Sequence, residues 1–262
     1  NVDYIRLEME FMKAVQTSML HFMKQQDRQF IIPVYQRTYK WTRMHCKQLW
    51  QDILRASKTE NKAHFIGSIV YITDEHFQAT KVQKLTIIDG QQRITTITLL
   101  IMAMCSYLDE FPDKFRTTSS QLFNQYIINQ FQNKDEYEYI KLQLTKHDKE
   151  FLEKLVRKES ISNTNHNIYT NYKYFHEQIR NENINIDELY DGIAKLMIVD
   201  VSLVRAQDDP QLIFESLNST GAKLTQADLI RNFLLMDLQT PFQNRMYNDY
   251  WFVIEKTLKE EN

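Results

Sequence analysis

The run Asp89-Gly90-Gln91-Gln92-Arg93 sets a carboxylate, a glycine, two amides and a guanidinium side by side. It follows the β-rich stretch Val82 to Ile88. It precedes a long apolar stretch in which Ile94, Ile97, Ile101 and Met104 recur at helical spacing. The pattern predicts a strand that turns sharply into a buried helix over Gln91 to Leu108. A helix start has N–H groups without partners and the positive end of the helix dipole, so it can hold an anion such as phosphate. Gly90 lets the backbone turn and approach a ligand closely. Arg93 is the informative residue, because a cation at a helix start costs roughly 0.3 kcal/mol or more unless an anion compensates it. If that anion is a phosphate, Arg93 and the N–H groups would hold it, and Gln91 and Gln92 could hold a base, a ribose or a water. If the anion is Asp89, the segment is a capped helix with an internal ion pair. The local pattern leaves both open.

Two further segments could join it. Ile32-Pro33-Val34-Tyr35-Gln36-Arg37-Thr38-Tyr39-Lys40-Trp41 follows a short strand at Phe30 to Ile32 that Pro33 stops. A second Gln-Arg pair among three aromatics suits phosphate contact beside base stacking. An aromatic corner with an arginine stem lying along it fits equally. Tyr35, Gln36 and Arg37 therefore join Gly90 and Thr95 as candidate nucleotide-binding residues, with Arg37 adding charge from the other side. Tyr35, Tyr39 and Trp41 are the aromatics available to a modified base. The third segment runs from Phe214 to Asn232. Pro210 after Asp209 opens a helix, Gly221 closes it, and Thr225 with Asp228 forms a capping box for the next. The polar set Glu215, Asn218, Asp228, Arg231 and Asn232 fits a helix-turn-helix DNA reader. A plain Asp228–Arg231 ion pair also fits.

The elements that must position these segments read as α+β, mostly helical: a small mixed sheet with helices, followed by a helical subdomain. Periodicity predicts helices at 8–25 and 43–57 and strands at Phe65 to Thr73 and Val82 to Ile88. Beyond the polar stretch 112–118 it predicts helices at 119–132, 146–158, 164–182, 186–197, 209–218, 225–239 and 242–260. One more strand is predicted at Met197 to Val204. The division falls into a nucleotide-binding core, 1–111, and a helical subdomain, 112–262. Four glycines and four prolines in 262 residues argue against a sandwich of short strands.

Composition excludes several classes. The formal charge of -2 announces no global affinity for nucleic acid, although a local groove could still bind it. No apolar run of ~18 residues predicts a membrane span, and no signal peptide is visible. Cys46 and Cys105 lack CxxC spacing, and the seven histidines lack HxxxH spacing, so the chain reads as a reduced cytoplasmic protein without structural zinc. P-loop, GxSxG and HExxH motifs are absent. The start at Asn1 and the helical end at Lys259-Glu260-Glu261-Asn262 suggest a piece of a longer protein.

Taken together, IPVYQRTYKW (32–41), FIGSIV (65–70), IIDGQQRITTITLL (87–100) and FESLNSTGAKLTQADLIRN (214–232) resemble a large bacterial family. That family forms the N-terminal part of GmrSD-type modification-dependent restriction enzymes and related phage-defence proteins. The resemblance implies a ParB/sulfiredoxin-like core with a helical extension. It implies binding and hydrolysis of an NTP, GTP or ATP with Mg²⁺, coupled to DNA cleavage by a C-terminal HNH-type nuclease domain outside this chain. Asp89 to Arg93 match the family signature, Gln36 and Arg37 its first motif, and Asn218, Asp228 and Arg231 its third. The resemblance thereby makes Asp89, Gln91, Gln92 and Arg93 the candidate catalytic set: Arg93 and the N–H groups would hold the phosphates, Asp89 would bind Mg²⁺ or orient a water, and Gln91 or Gln92 would position the water or the base. A non-catalytic ParB-like DNA-binding module and an interaction scaffold are the alternatives.

Overall fold

The computed structural model describes residues 13–59, 63–73, 82–112, 114–181, 184–204, 208–218, 225–236, 238 and 240–260. The strands are β1 (Lys13–Ser18), β2 (Arg28–Ile31), β3 (His64–Thr73), β4 (Gln83–Asp89), β5 (Leu142–Gln143) and β6 (Leu196–Val204). The helices are α1 (Met19–Lys24), α2 (Arg43–Lys58), α3 (Gln91–Glu110), α4 (Ser119–Leu122), α5 (Lys146–Val156) and α6 (Asn167–Asn181). After them come α7 (Ile186–Ala194), α8 (Pro210–Asn218), α9 (Gln226–Leu235), α10 (Thr240–Met246) and α11 (Phe252–Glu260). The fold is thus mixed α+β and mostly helical. The strands form one mixed sheet in the order β1-β6-β3-β4-β2-β5. β2, β4 and β5 run parallel and β3 runs antiparallel to β4. The carboxyl ends of β2 and β4 therefore meet the start of β3 at one edge of the sheet, where ligands of open α/β sheets commonly sit.

Alternation along the strands divides the apolar residues between two faces. Ile69, Tyr71, Leu85 and Ile87 join the large core with α1, α2, α3, α6 and α7. Val70, Ile72, Ile88, Val201 and Leu203 turn to the other face and meet Phe214, Leu235 and Met236 of the α8–α9 region. The strand at 196–204 lies beyond the polar stretch 112–118, yet it pairs with β1 and β3. α3 is the central post. From Gln91 to Cys105 Arg93 alone is not buried, as a helix packed on all sides requires.

Three expectations differ. The 8–25 helix gives way to edge strand β1, capped into α1 by Ser18, whose Oγ accepts from the His21 N–H at 3.1 Å. Val15, Met19 and Phe22 do stand at helical spacing, but pairing with β6 overrides it before Met19. Phe11 lies outside the described residues. The 119–132 helix stops after α4 and a π-helical turn at Phe123–Ile127, and Ile128 then bridges Ile140 ahead of the unforeseen β5. The helix expected over 242–260 is likewise divided by a π-helical turn at Tyr247–Trp251. Among the described residues, no helix is long and apolar enough to cross a membrane.

Candidate functional site

The β4–α3 turn forms as the glycine and the apolar periodicity demand. Gly90 is the helix N-cap at φ 94°, a left-handed conformation that glycine adopts without steric cost. A Cβ there would come within 2.9 Å of the Ser68 carbonyl oxygen and of Ile69 Cγ1, so the turn is also pressed against β3. Asp89 does not cap the helix: the N-cap has no side-chain bond, and the first turn holds no acidic residue. Arg93 and Ile94 donate their N–H groups to the Gly90 carbonyl at 3.0 and 3.1 Å. Among the described residues nothing accepts from the N–H groups of Gln91 and Gln92.

Arg93 folds back across β3. Its Nη1 donates to the Ser68 carbonyl at 3.0 Å and lies 3.7 Å from Asp89 Oδ2. The guanidinium rests on Gly67, where a Cβ would be 2.7 Å from Cζ. Gly67 sits at φ 111° in a β-bulge between Phe65 and Ser68, which bends β3 under the arginine. The Asp89 distance is outside hydrogen-bond range. A guanidinium carries five N–H donors, and a single one is engaged among the described residues. The two side chains are 28% and 27% exposed, so both face solvent in part.

The neighbouring glutamines are committed inward. Gln92 Oε1 accepts from the N–H groups of Lys40 and Trp41 at 2.8 and 3.1 Å. Gln91 Nε2 donates to Gln36 Oε1, and Gln36 Nε2 donates to the Ile88 carbonyl. These bonds seat the 33–41 loop on the start of α3. Tyr39 completes the seat. Its N–H donates to Asp148 and its hydroxyl pairs with Thr96 and Asn171. Burial, reinforced by Cys46, raises the Tyr39 phenol well above its ordinary range. Trp41 is half-buried and stacks on His45. Tyr35 is fully buried and Thr95 is 1% exposed, so neither presents its side chain at the surface. Arg37 is half-buried and has no ion pair or hydrogen bond among the described residues.

The third motif reaches the same edge from the other face of the sheet. Arg231 Nε donates to the Tyr35 carbonyl at 2.6 Å, and its two terminal nitrogens engage Asp228 and Glu255. Thr225 and Asp228 form the expected capping box, and Asp209 accepts from the N–H groups of Gln211 and Leu212 at the start of α8. Burial alone would raise the Asp228 carboxyl, but bonds from Thr225 and the Arg231 charge hold it below its ordinary value. Arg231 and Asn232 are buried, whereas Ile230, Phe233 and Leu234 are exposed. That apolar outer face is poorly suited to phosphates or base edges. Asn218 closes α8 with its side chain outside the described residues, as are the side chain of Glu215 and the whole of Gly221.

The sequence segments thus converge on one sheet edge, and the candidate side chains that are not buried narrow to Asp89, Arg93 and Arg37, beside two backbone N–H groups without a partner among the described residues. Gly67 was missed as a site residue, although a glycine inside a strand pattern signals a bulge or a close approach. Among the described residues no group of three His, Cys, Asp or Glu side chains could hold a metal.

Fold and site together define a mostly helical α+β domain with a partly exposed arginine in the first turn of a helix that has no side-chain N-cap. The chain matches the family described as GmrSD restriction endonuclease, N-terminal domain, over residues 19–235, and it belongs to that family. A comparison with curated proteins gave no match.

Proposed function

We propose that this domain binds a nucleoside triphosphate, GTP or ATP, at the start of α3, and that binding and hydrolysis control a DNA nuclease domain of the HNH type elsewhere in the full-length protein. One observation carries the reading. Arg93 is the single unburied residue in the first four turns of α3, and its guanidinium keeps only one hydrogen bond and a 3.7 Å ion pair with Asp89 among the described residues, beside a helix start whose first two N–H groups have no partner among them. Donors fixed in advance around a developing negative charge are the largest common source of phosphoryl-transfer catalysis.

In this reading Arg93 and the N–H groups of Gln91 and Gln92 hold phosphate oxygens. Arg37 approaches from the 33–41 loop and adds a second charge. Asp89 is the carboxylate at hand for Mg²⁺. A nucleotide-borne Mg²⁺ fits one carboxylate, because it keeps several waters and takes phosphate oxygens as its other ligands. Gln91, Gln92, Gln36 and Thr95 act as positioning residues, since their side chains are bonded internally or buried. Exchange of Asp89 for phosphate as the partner of Arg93 provides a two-state element that nucleotide can bias.

The test is turnover of ATP and GTP with Mg²⁺ by the purified chain, wild type against Arg93→Ala, with calorimetric binding alongside. Turnover and binding present in the wild type and lost in the variant are expected. Equal turnover in both, or none in either, removes the catalytic half of the proposal. Equal binding removes the rest.

A further inference from the structure

We propose that the exposed face of α2, led by Lys40, carries a nucleic-acid backbone, and that duplex DNA is its partner. Arg43, Lys47, Gln51, Arg55 and Lys58 recur at spacings of four, four, four and three, so they fall on one stripe of the helix. All are exposed, whereas Cys46, Leu49, Trp50, Ile53 and Ala56 bury the opposite side. Asp52 is the only acidic residue of α2, and it lies on the flank, engaged with Gln48, Arg55 and His64. Lys40, Lys47 and Lys58 have no carboxylate partner among the described residues.

Helix electrostatics explain half of this stripe. Arg55 and Lys58 occupy the last turn, where cations complement the dipole. Arg43 and Lys47 occupy the first turns, where the dipole opposes them and the first turn holds no acidic residue. They also stand four residues apart and repel one another. The capping box is closed by His45 in place of the usual glutamate, so no carboxylate softens that repulsion. Such frustration is relieved by an external polyanion.

Placement supplies the second argument. Gln92 bonds the backbone of Lys40 and Trp41, which brings the start of α2 beside the start of α3. The two helix starts, with Arg43 in the first turn of one and Arg93 in that of the other, therefore lie side by side. Arg43 is steadied there by the Tyr174 ring, 5.2 Å from its Cζ. A basic stripe on a chain of net charge -2 is the electrostatic footprint of a protein that grips phosphates. The apolar outer face of α9 offers nothing comparable. Membership of a restriction-endonuclease family makes DNA the natural polyanion.

The inference stands without the nucleotide site, and its test separates the two. Binding to a short labelled DNA duplex is measured against salt for the wild type and for a triple variant, Lys40→Gln with Lys47→Gln and Lys58→Gln. The control is a second triple variant with the same charge change on other faces: Lys13→Gln, Lys114→Gln and Lys134→Gln. Each lysine that neutralises a phosphate adds about 0.9 to the log–log salt slope, so the α2 variant is expected to show a slope shallower by roughly 2 to 3 while the control keeps the wild-type value. Nucleotide binding should be unchanged in both variants. Three outcomes overturn the proposal: no duplex binding by the wild type, equal weakening in both variants, or an unchanged slope in the α2 variant. Binding to phosphatidylserine vesicles but not to the duplex would assign the face to a membrane and overturn it as well.

Discussion

Arg93 and Arg231 stand beside an aspartate of their own segment, one four residues away and the other three, yet the molecule uses them differently. Arg231 has 8% of its side chain exposed and its nitrogens meet a carbonyl and two carboxylates. Arg93 has 28% exposed, a single carbonyl bond, and a carboxylate too distant to hydrogen-bond. The first ties α9 to α11 and to the 33–41 loop. The second rests on Gly67 with a single donor hydrogen-bonded among the described residues. Motif similarity does not separate a structural tie from a candidate binding group, whereas the number of filled donors distinguishes these two arginines.

The sharpest way to break the comparison is to remove both arginines in turn. Arg231→Ala leaves Asp228 and Glu255 without their cation and should cost about 3–5 kcal/mol in denaturant unfolding. Arg93→Ala should cost less than about 1 kcal/mol, as expected for a partly exposed pair. Equal losses would mean that both are structural. Gly67→Ala is next. A methyl there collides with the Arg93 guanidinium and sits at positive φ. It should cost about 1–2 kcal/mol in stability and weaken nucleotide binding by about tenfold (~1.4 kcal/mol). Full binding in Gly67→Ala would detach the bulge from the site. Gln92→Ala strands the N–H groups of Lys40 and Trp41 and should cost about 1 kcal/mol, with raised amide exchange confined to the 38–41 segment.

The smallest effect is one of pH. The Asp228 carboxyl is held below its unfolded value, so its contribution is fully present above about pH 4 and is lost as pH falls through the folded value. Asp228→Asn should therefore flatten the acid limb of the stability profile. An acid limb identical to that of the wild type would place the acid sensitivity elsewhere.

Much of this was legible in the sequence because it is local. The strand–glycine–helix course at 83–110, the capping box at Thr225, and the helix start after Asp209 all follow from residue types within one turn. What escaped is set by distant partners. β1 is a strand because β6 lies beside it, and two-residue β5 has no periodicity to read. The commitment of Gln92 to the 38–41 backbone depends on residues some fifty positions away, and the inward course of Arg231 depends on Tyr35, farther still along the chain. Exposure of Arg93 is the quantity on which the proposed function rests, and no spacing rule supplies it.

The most direct measurement follows backbone amides of the isotope-labelled chain by NMR during titration with a non-hydrolysable nucleoside triphosphate and Mg²⁺. The largest shifts are expected at Gly90, Gln91, Gln92 and Arg93, with α9 unmoved. Saturating nucleotide that leaves those four amides in place would contradict the account.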